Sequence, residues 1–234
     1  MEKIVLANWK AHLSPAGAEE WLADFAKGYH PLPGLRVILA VPFLHLDRVR
    51  HQAAGLDRVY LAAQDVSPYP PGSYTGATPA AWLAGLAEYV LIGHRERRRY
   101  FYETMQDAAN KVNEAVAAGL RPILCMDRNE AGAQVAALDL AGLEQVISAY
   151  TPADAVQLEV ARSAGAIAGA AEYFAGLSGD RPVLYGGGVN ADTVGDLIVL
   201  PQLSGVMTAA GCLDPRHFID LLVRAGEALG ATSK

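Results

Sequence analysis

Four stretches of the sequence place chemically active residues directly behind an apolar run. Asn8 and Lys10 follow the run 3–7, and His94 and Glu96 follow Tyr89–Ile92 within EYVLIGHRERR. Glu159 follows the run 155–158, and Gly186, Gly187 and Gly188 follow 182–185. Taken singly each has an ordinary explanation: a solvated lysine, a carboxylate at a helix start, a tight glycine turn. Gathered in one place they are a cation, an imidazole, a carboxylate and a glycine loop. Imidazoles and carboxylates move protons, and glycine-rich turns hold anions through their backbone N–H groups.

Whether they gather depends on the elements that carry them. Eight strand-like runs recur along the chain, at 3–7, 36–41, Val59–Ala63, Tyr89–Ile92, 122–126, 155–158, 182–185 and 204–208. Each is short, apolar and closed by small or polar residues. Helical patterns stand between them, at 16–29, from Pro42 through Val49, and at 105–118, 130–149 with a break near Asp139, Ala164–Leu177, 193–197 and 215–229. Ser14 and Pro15 open the first as N-cap and first helical residue, and Gly119 closes the one at 105–118. Eightfold alternation of this kind predicts an α/β protein, a closed (β/α)8 barrel forming one domain over 1–234. An open doubly wound sheet is the competing architecture, but GxGxxG is missing after the first strand. In a barrel all eight strand C-termini meet at one face, which brings Asn8, Lys10, His94, Glu159 and the three glycines into one mouth.

The chain has 234 residues, of which 52% are hydrophobic and 19% charged, enough for a substantial core. A net charge of −6 argues against general nucleic-acid binding. No apolar run approaches the length of a membrane span, and neither a signal nor a transit peptide is read at the N-terminus. Cys125 and Cys212 sit in apolar runs without metal-type spacing, as expected of reduced core thiols in a cytoplasmic protein. The six histidines form no ligand cluster, so no metal is expected.

Several of these pieces, in order, resemble the triosephosphate isomerase family. They are ANWK at 7–10, AQDV at 63–66, GSYTG at 72–76, EYVLIGHRERR at 88–98, AGLRPILC at 118–125 and VLYGGGVN at 183–190. The resemblance spans nearly the whole chain and implies an aldose–ketose isomerase of a small phosphorylated sugar. It assigns Glu159 as the base, neutral His94 as the group that polarises the carbonyl, and Lys10 and Asn8 as stabilisers of the enediolate. Glu96 would orient Lys10, and Gly186, Gly187 and Gly188 would hold the phosphate. No cofactor is called for. For the long loop 65–78, carrying Thr75, the resemblance implies a homodimer in which this loop inserts beside Lys10 of a second copy.

Four departures from the family pattern bear on the site. Arg95 replaces a serine beside the histidine, and Gly188 replaces a serine of the phosphate loop. Ala209 and Ala210 stand where the family has two glycines at the phosphate, which predicts crowding and a cost for any positive φ. In the family the base is followed by a proline and a flexible lid with a glycine-rich hinge. Here VARSAG follows Glu159, and a helix before Pro182 leaves only about five residues for a lid. Ala77 also stands where a glutamate would pair with Arg97 or Arg98. The altered phosphate loops and short lid support a second reading, a barrel that binds a small anion or a protein without turnover.

Overall fold

The computed structural model describes residues 2–158 and 161–232. Eight strands are present: β1 (Lys3–Asn8), β2 (Leu35–Val41), β3 (Val59–Ala63), β4 (Tyr89–Ile92), β5 (Arg121–Met126), β6 (Ile147–Tyr150), β7 (Val183–Tyr185) and β8 (Gly205–Thr208). All neighbours are parallel, and β8 pairs with β1 to close the barrel. Closure demands a close approach at Gly205, where a β-carbon would stand 2.1 Å from the Ile4 carbonyl oxygen. The strands read as continuous apolar runs because both faces are buried. Ile4, Leu6, Ile38, Ala40, Ile123 and Leu184 fill the barrel interior. The alternate residues, among them Val5, Val37, Leu39 and Leu124, pack outward against the helices.

The helices are α1 (Pro15–Gly28), α2 (Phe43–Ala53), α3 (Ala80–Leu83), α4 (Arg95–Phe101), α5 (Met105–Ala117), α6 (Ala131–Ala136), α7 (Leu140–Gln145), α8 (Ala153–Leu158), α9 (Ala164–Leu177), α10 (Val194–Ile198) and α11 (Pro215–Thr232). Ser14 caps α1 by accepting from the Gly17 N–H at 3.1 Å, with Pro15 at the first position. Thr104 and Asp107 form a capping box on α5. No helix among the described residues is long and apolar enough to cross a membrane. Cys125 lies buried in β5 and Cys212 in a 3-10 turn after β8, both unbridged.

Seven strands fall within one residue of their expected limits, and the sixth does not. The run 155–158 belongs to the helix α8, and β6 is Ile147–Tyr150, inside the stretch expected to be helical. The expected helix 130–149 is in fact α6, a break, and α7, whose N-cap is Asp139. Val146 leaves the helix with an extended backbone, and ISAY then pairs with β5 on one side and β7 on the other. The connection from β6 to α9 therefore runs over 151–163, much longer than the five residues expected. It contains α8 and no glycine.

A charged cluster ties the 65–78 loop to the helices behind it. Lys111, on α5, donates to Asp65 at 2.7 Å and to Glu103. Arg97, on α4, pairs with Asp65 at 2.9 Å and Glu103 at 3.4 Å, while Arg98 pairs with Glu130 at 3.2 Å. Both arginines thus find partners without an acid at Ala77. The Lys111 and Glu103 side chains are only 4% and 2% exposed. Removing one member of such a pair strands the opposite charge in a site that water cannot reach. Lys111→Met should therefore lower stability by about 3–5 kcal/mol, read as a shift in the urea unfolding midpoint. A loss below 1 kcal/mol would mean that water reaches the cluster.

Candidate active site

Strand β1 ends in a backbone turn that few residues tolerate. Lys10 has φ +49°, in the left-handed region that costs a side-chain-bearing residue about 1–2 kcal/mol. Three groups hold it there. The Lys10 N–H donates to Asn8 Oδ1 at 3.0 Å, Gln64 Nε2 donates to the Lys10 carbonyl at 3.0 Å, and Lys10 Nζ donates to Glu96 Oε1 at 2.8 Å. Gln64, at the end of β3, also donates to the Ala40 carbonyl at 2.9 Å, locking three strand ends together. The result is an ammonium held in one position at the barrel mouth.

Glu96, one residue into α4, feels two opposing influences. Burial would raise its carboxyl, but the hydrogen bond from Lys10 and the Lys10 charge outweigh it, so it titrates below its ordinary value. His94 caps α4 and is almost fully buried. Burial is the main influence that lowers its imidazole to about 4; Glu96 pulls the other way, and Lys10, Arg98 and Arg95 reinforce the drop. The Glu96 backbone N–H donates to His94 Nδ1 at 3.2 Å. A neutral ring that accepts at Nδ1 carries its proton on Nε2. His94 is therefore a neutral donor in the cavity wall.

The cavity encloses about 270 Å³ at the C-terminal mouth of the barrel. Asn8, Lys10, His94, Gly186, Gly187, Gly188, Ala209 and Ala210 all line it, as the sequence reading expected. Glu96 stands behind Lys10 and is not in the wall. Gly188 has φ +60°, a conformation suited to glycine and costly for the serine of the family pattern. Neither Ala209 nor Ala210 has a positive φ, so the strain expected there does not arise. Arg95 is half-buried beside His94 and does not line the cavity.

Glu159 lies outside the described residues. Its expected place, the end of strand six, is taken by Thr151, because β6 ends at Tyr150. Thr151 is fully buried in the cavity wall, and its hydroxyl donates to the Met126 carbonyl at 3.3 Å. Pro152 follows it, so Thr151 holds the position before the proline that the resemblance gives to a carboxylate. Among the described residues no Asp or Glu lines the cavity. One further wall residue, His12, lies in the loop after β1; it went unread because no apolar run directly precedes it. The assembled groups can hold an anion at the glycine loop and stabilise negative charge growing on an oxygen between Lys10 and His94.

The family model for triosephosphate isomerase matches residues 3–225. The triosephosphate isomerase of Synechocystis sp. is 33% identical, covering 93% of this chain and 97% of its own. Those of Symbiobacterium thermophilum and Xylella fastidiosa are 32% and 35% identical, over 96% and 93% of this chain and 97% and 96% of theirs.

The lowered imidazole has a checkable consequence. Its folded value, about 4, lies below that of an unfolded histidine, so the unfolded chain binds more protons between them. His94 should thus withdraw stability as pH falls from 6.5 toward 4 and have no effect above 7. In ¹⁵N spectra its ring nitrogens should keep neutral-tautomer shifts from pH 5.5 to 9. A midpoint near 6.5 would show that the site does not hold the ring neutral.

Proposed function

The chain belongs to the triosephosphate isomerase family, and from that membership and the geometry of its cavity we infer that it interconverts dihydroxyacetone phosphate and glyceraldehyde 3-phosphate. The observation that carries the reading is the neutral, buried His94 set against the fixed Lys10–Glu96 pair in one small cavity. In the proposed mechanism the substrate phosphate rests on Gly186, Gly187, Gly188 and the turn at Ala209 and Ala210. His94 Nε2–H and the Lys10 ammonium meet the carbonyl oxygen, and Asn8 keeps Lys10 in register. A base takes the proton from the carbon beside the carbonyl and returns it to its neighbour through an enediolate. Such preorganised donors typically contribute 10²–10³-fold each, and a positioned base about 10²–10⁴-fold. The reaction moves protons only and asks for no cofactor.

We assign the base to Glu159, delivered by the segment after α8 and not by the strand end. Its described neighbours support this. Ala155 packs on the glycine loop, 2.8 Å from where a β-carbon on Gly187 would stand, and the Arg162 N–H bonds the Tyr185 hydroxyl at 3.0 Å. Glu159 is four residues from Ala155 and three from Arg162 in the sequence, and extended chain covers at most about 3.6 Å per residue. The setting proposed is the cytoplasm, in glycolysis and gluconeogenesis, with no nucleic-acid or membrane partner. A homodimer through the 65–78 loop is supported by the surface. Nine of the twelve exposed large hydrophobic residues described lie between Phe43 and Met105, Tyr69, Tyr74, Trp82 and Phe101 among them. Exposed apolar side chains in and around this loop are ones a partner subunit would cover.

A coupled assay on both triose phosphates tests the activity and the base together. Wild type should turn over, Glu159→Gln should lose about 10²–10⁴-fold in kcat, and adding Thr151→Glu to that variant should restore part of the loss. Turnover unaffected by Glu159→Gln would remove Glu159 from the mechanism, and an inactive wild type would sink the isomerase reading. Sedimentation should give a dimer at micromolar concentration; a monomer alone would overturn the loop-mediated pairing.

A further inference from the structure

Two backbone turns of the cavity come from different strands, and one buried side chain joins them. The glycine loop follows β7, and the turn at Ala209 and Ala210 follows β8. Thr208, the last residue of β8, is 3% exposed, and its hydroxyl donates to the Val189 carbonyl at 2.7 Å. One residue earlier, the Gly188 carbonyl accepts from the Thr193 hydroxyl at 3.0 Å. The C=O and N–H of a trans peptide point opposite ways, so that bond turns the Val189 N–H away from Thr193. Among the described residues the N–H groups of Gly187, Gly188 and Val189 have no partner, which leaves them for an anion. Position 211 is shaped by the Thr208 bond. A β-carbon on Gly211 would stand 2.7 Å from the Thr208 hydroxyl oxygen and 3.2 Å from the Val189 carbonyl oxygen. Gly211 has no positive φ, so glycine stands here for room and not for conformation.

We propose that Thr208 is a positioning residue that fastens the loop after β7 to the end of β8, so that the two turns form one preset anion cradle. The proposal rests on the reading that the cavity takes its substrate by a phosphate. Thr193 and Thr208 hold neighbouring carbonyls, but not with equal effect. Thr193 belongs to the same loop as Gly188 and is partly exposed, so water can replace its hydroxyl. Thr208 belongs to another strand, and its bond is buried. Removing its hydroxyl leaves the Val189 carbonyl unpaired where water does not reach, a costly arrangement that the loop can relieve only by shifting. Donors fixed before the anion arrives need no ordering on binding. The phosphate contact lasts from bound substrate through the enediolate, so loosening it weakens both alike and shows in KM more than in kcat. Serine retains the hydroxyl that makes the bond, and valine retains the shape without it.

Inorganic phosphate, titrated by calorimetry, tests the cradle without turnover, and steady-state kinetics on both triose phosphates test its use. Wild type should bind phosphate. Thr208→Val should raise the phosphate dissociation constant at least fivefold and KM by a similar factor, with a smaller loss in kcat. Gly211→Ala should act in the same direction, Thr208→Ser should recover most of the loss, and Thr193→Val should cost less than Thr208→Val. Phosphate binding unchanged in Thr208→Val and Gly211→Ala would overturn the proposal, even if the urea unfolding midpoint fell, because the bond would then serve the fold alone. Thr208→Ser as weak as Thr208→Val, or a wild type that binds no phosphate, would overturn it too. Phosphate binding that depends on Thr208 in a protein without turnover would sink the isomerase reading and leave the cradle standing.

Discussion

The site depends on one uncomfortable residue. Lys10 sits in the left-handed region, and neither its own propensity nor the strand that leads to it favours that conformation. Three side chains from three strand ends or loops hold it: Asn8 beneath its N–H, Gln64 on its carbonyl, and Glu96 on its ammonium. None of them could act unless the sheet curled into a barrel, because the ends of β1, β3 and β4, with β2 between the first two, must converge on one point. Strain of about 1–2 kcal/mol is small beside the burial free energy of a closed barrel core, so the fold can sustain it. In return the ammonium needs no reorganisation when charge develops nearby.

The same logic extends outward through the charged cluster under the 65–78 loop. Glu96 and Arg97 are adjacent on α4: Glu96 faces Lys10, and Arg97 faces Asp65 and Glu103. The helix that positions the active ammonium is thus pinned from behind by an ion cluster rooted on Lys111 of α5. Buried ion pairs rarely add net stability over apolar packing, but they admit few alternative arrangements. Here that selectivity fixes the rotation of a seven-residue helix that contributes no buried side chain of its own to hold it.

Most of the architecture was legible because parallel strands buried on both faces announce themselves as apolar runs. Lys10, His94, Glu96 and the glycine loop could be read for the same reason: each follows such a run at once. Strand six escaped because ISAY and AVQL are equally short and equally apolar, and alanine-rich neighbours carry a helical pattern up to the edge of ISAY. The useful signal was the Thr151–Pro152 step. A residue before proline is pushed to extended backbone, as a strand end requires, and no proline follows AVQL. The misplacement had a chemical consequence, for it put a carboxylate at a position that a threonine occupies. The bonds of Gln64, Lys111 and Arg162 were not legible, since each joins residues far apart in sequence through a polar side chain that leaves no periodic trace.

Thr151 is best understood together with the connection that follows it. A carboxylate on the last turn of a strand inherits the rigidity of the barrel, and a swinging lid can then close over it. A carboxylate carried by the connection itself has no such support, so the connection must supply the rigidity. Around Glu159 the sequence places Pro152 and no glycine, and the described residues on either side are anchored: Ala155 of α8 sits against Gly187, and Arg162 bonds the hydroxyls of Tyr150 and Tyr185. Threonine at 151 then serves the wall, closing its hydroxyl onto the Met126 carbonyl and leaving no unpaired polar atom against the glycine loop.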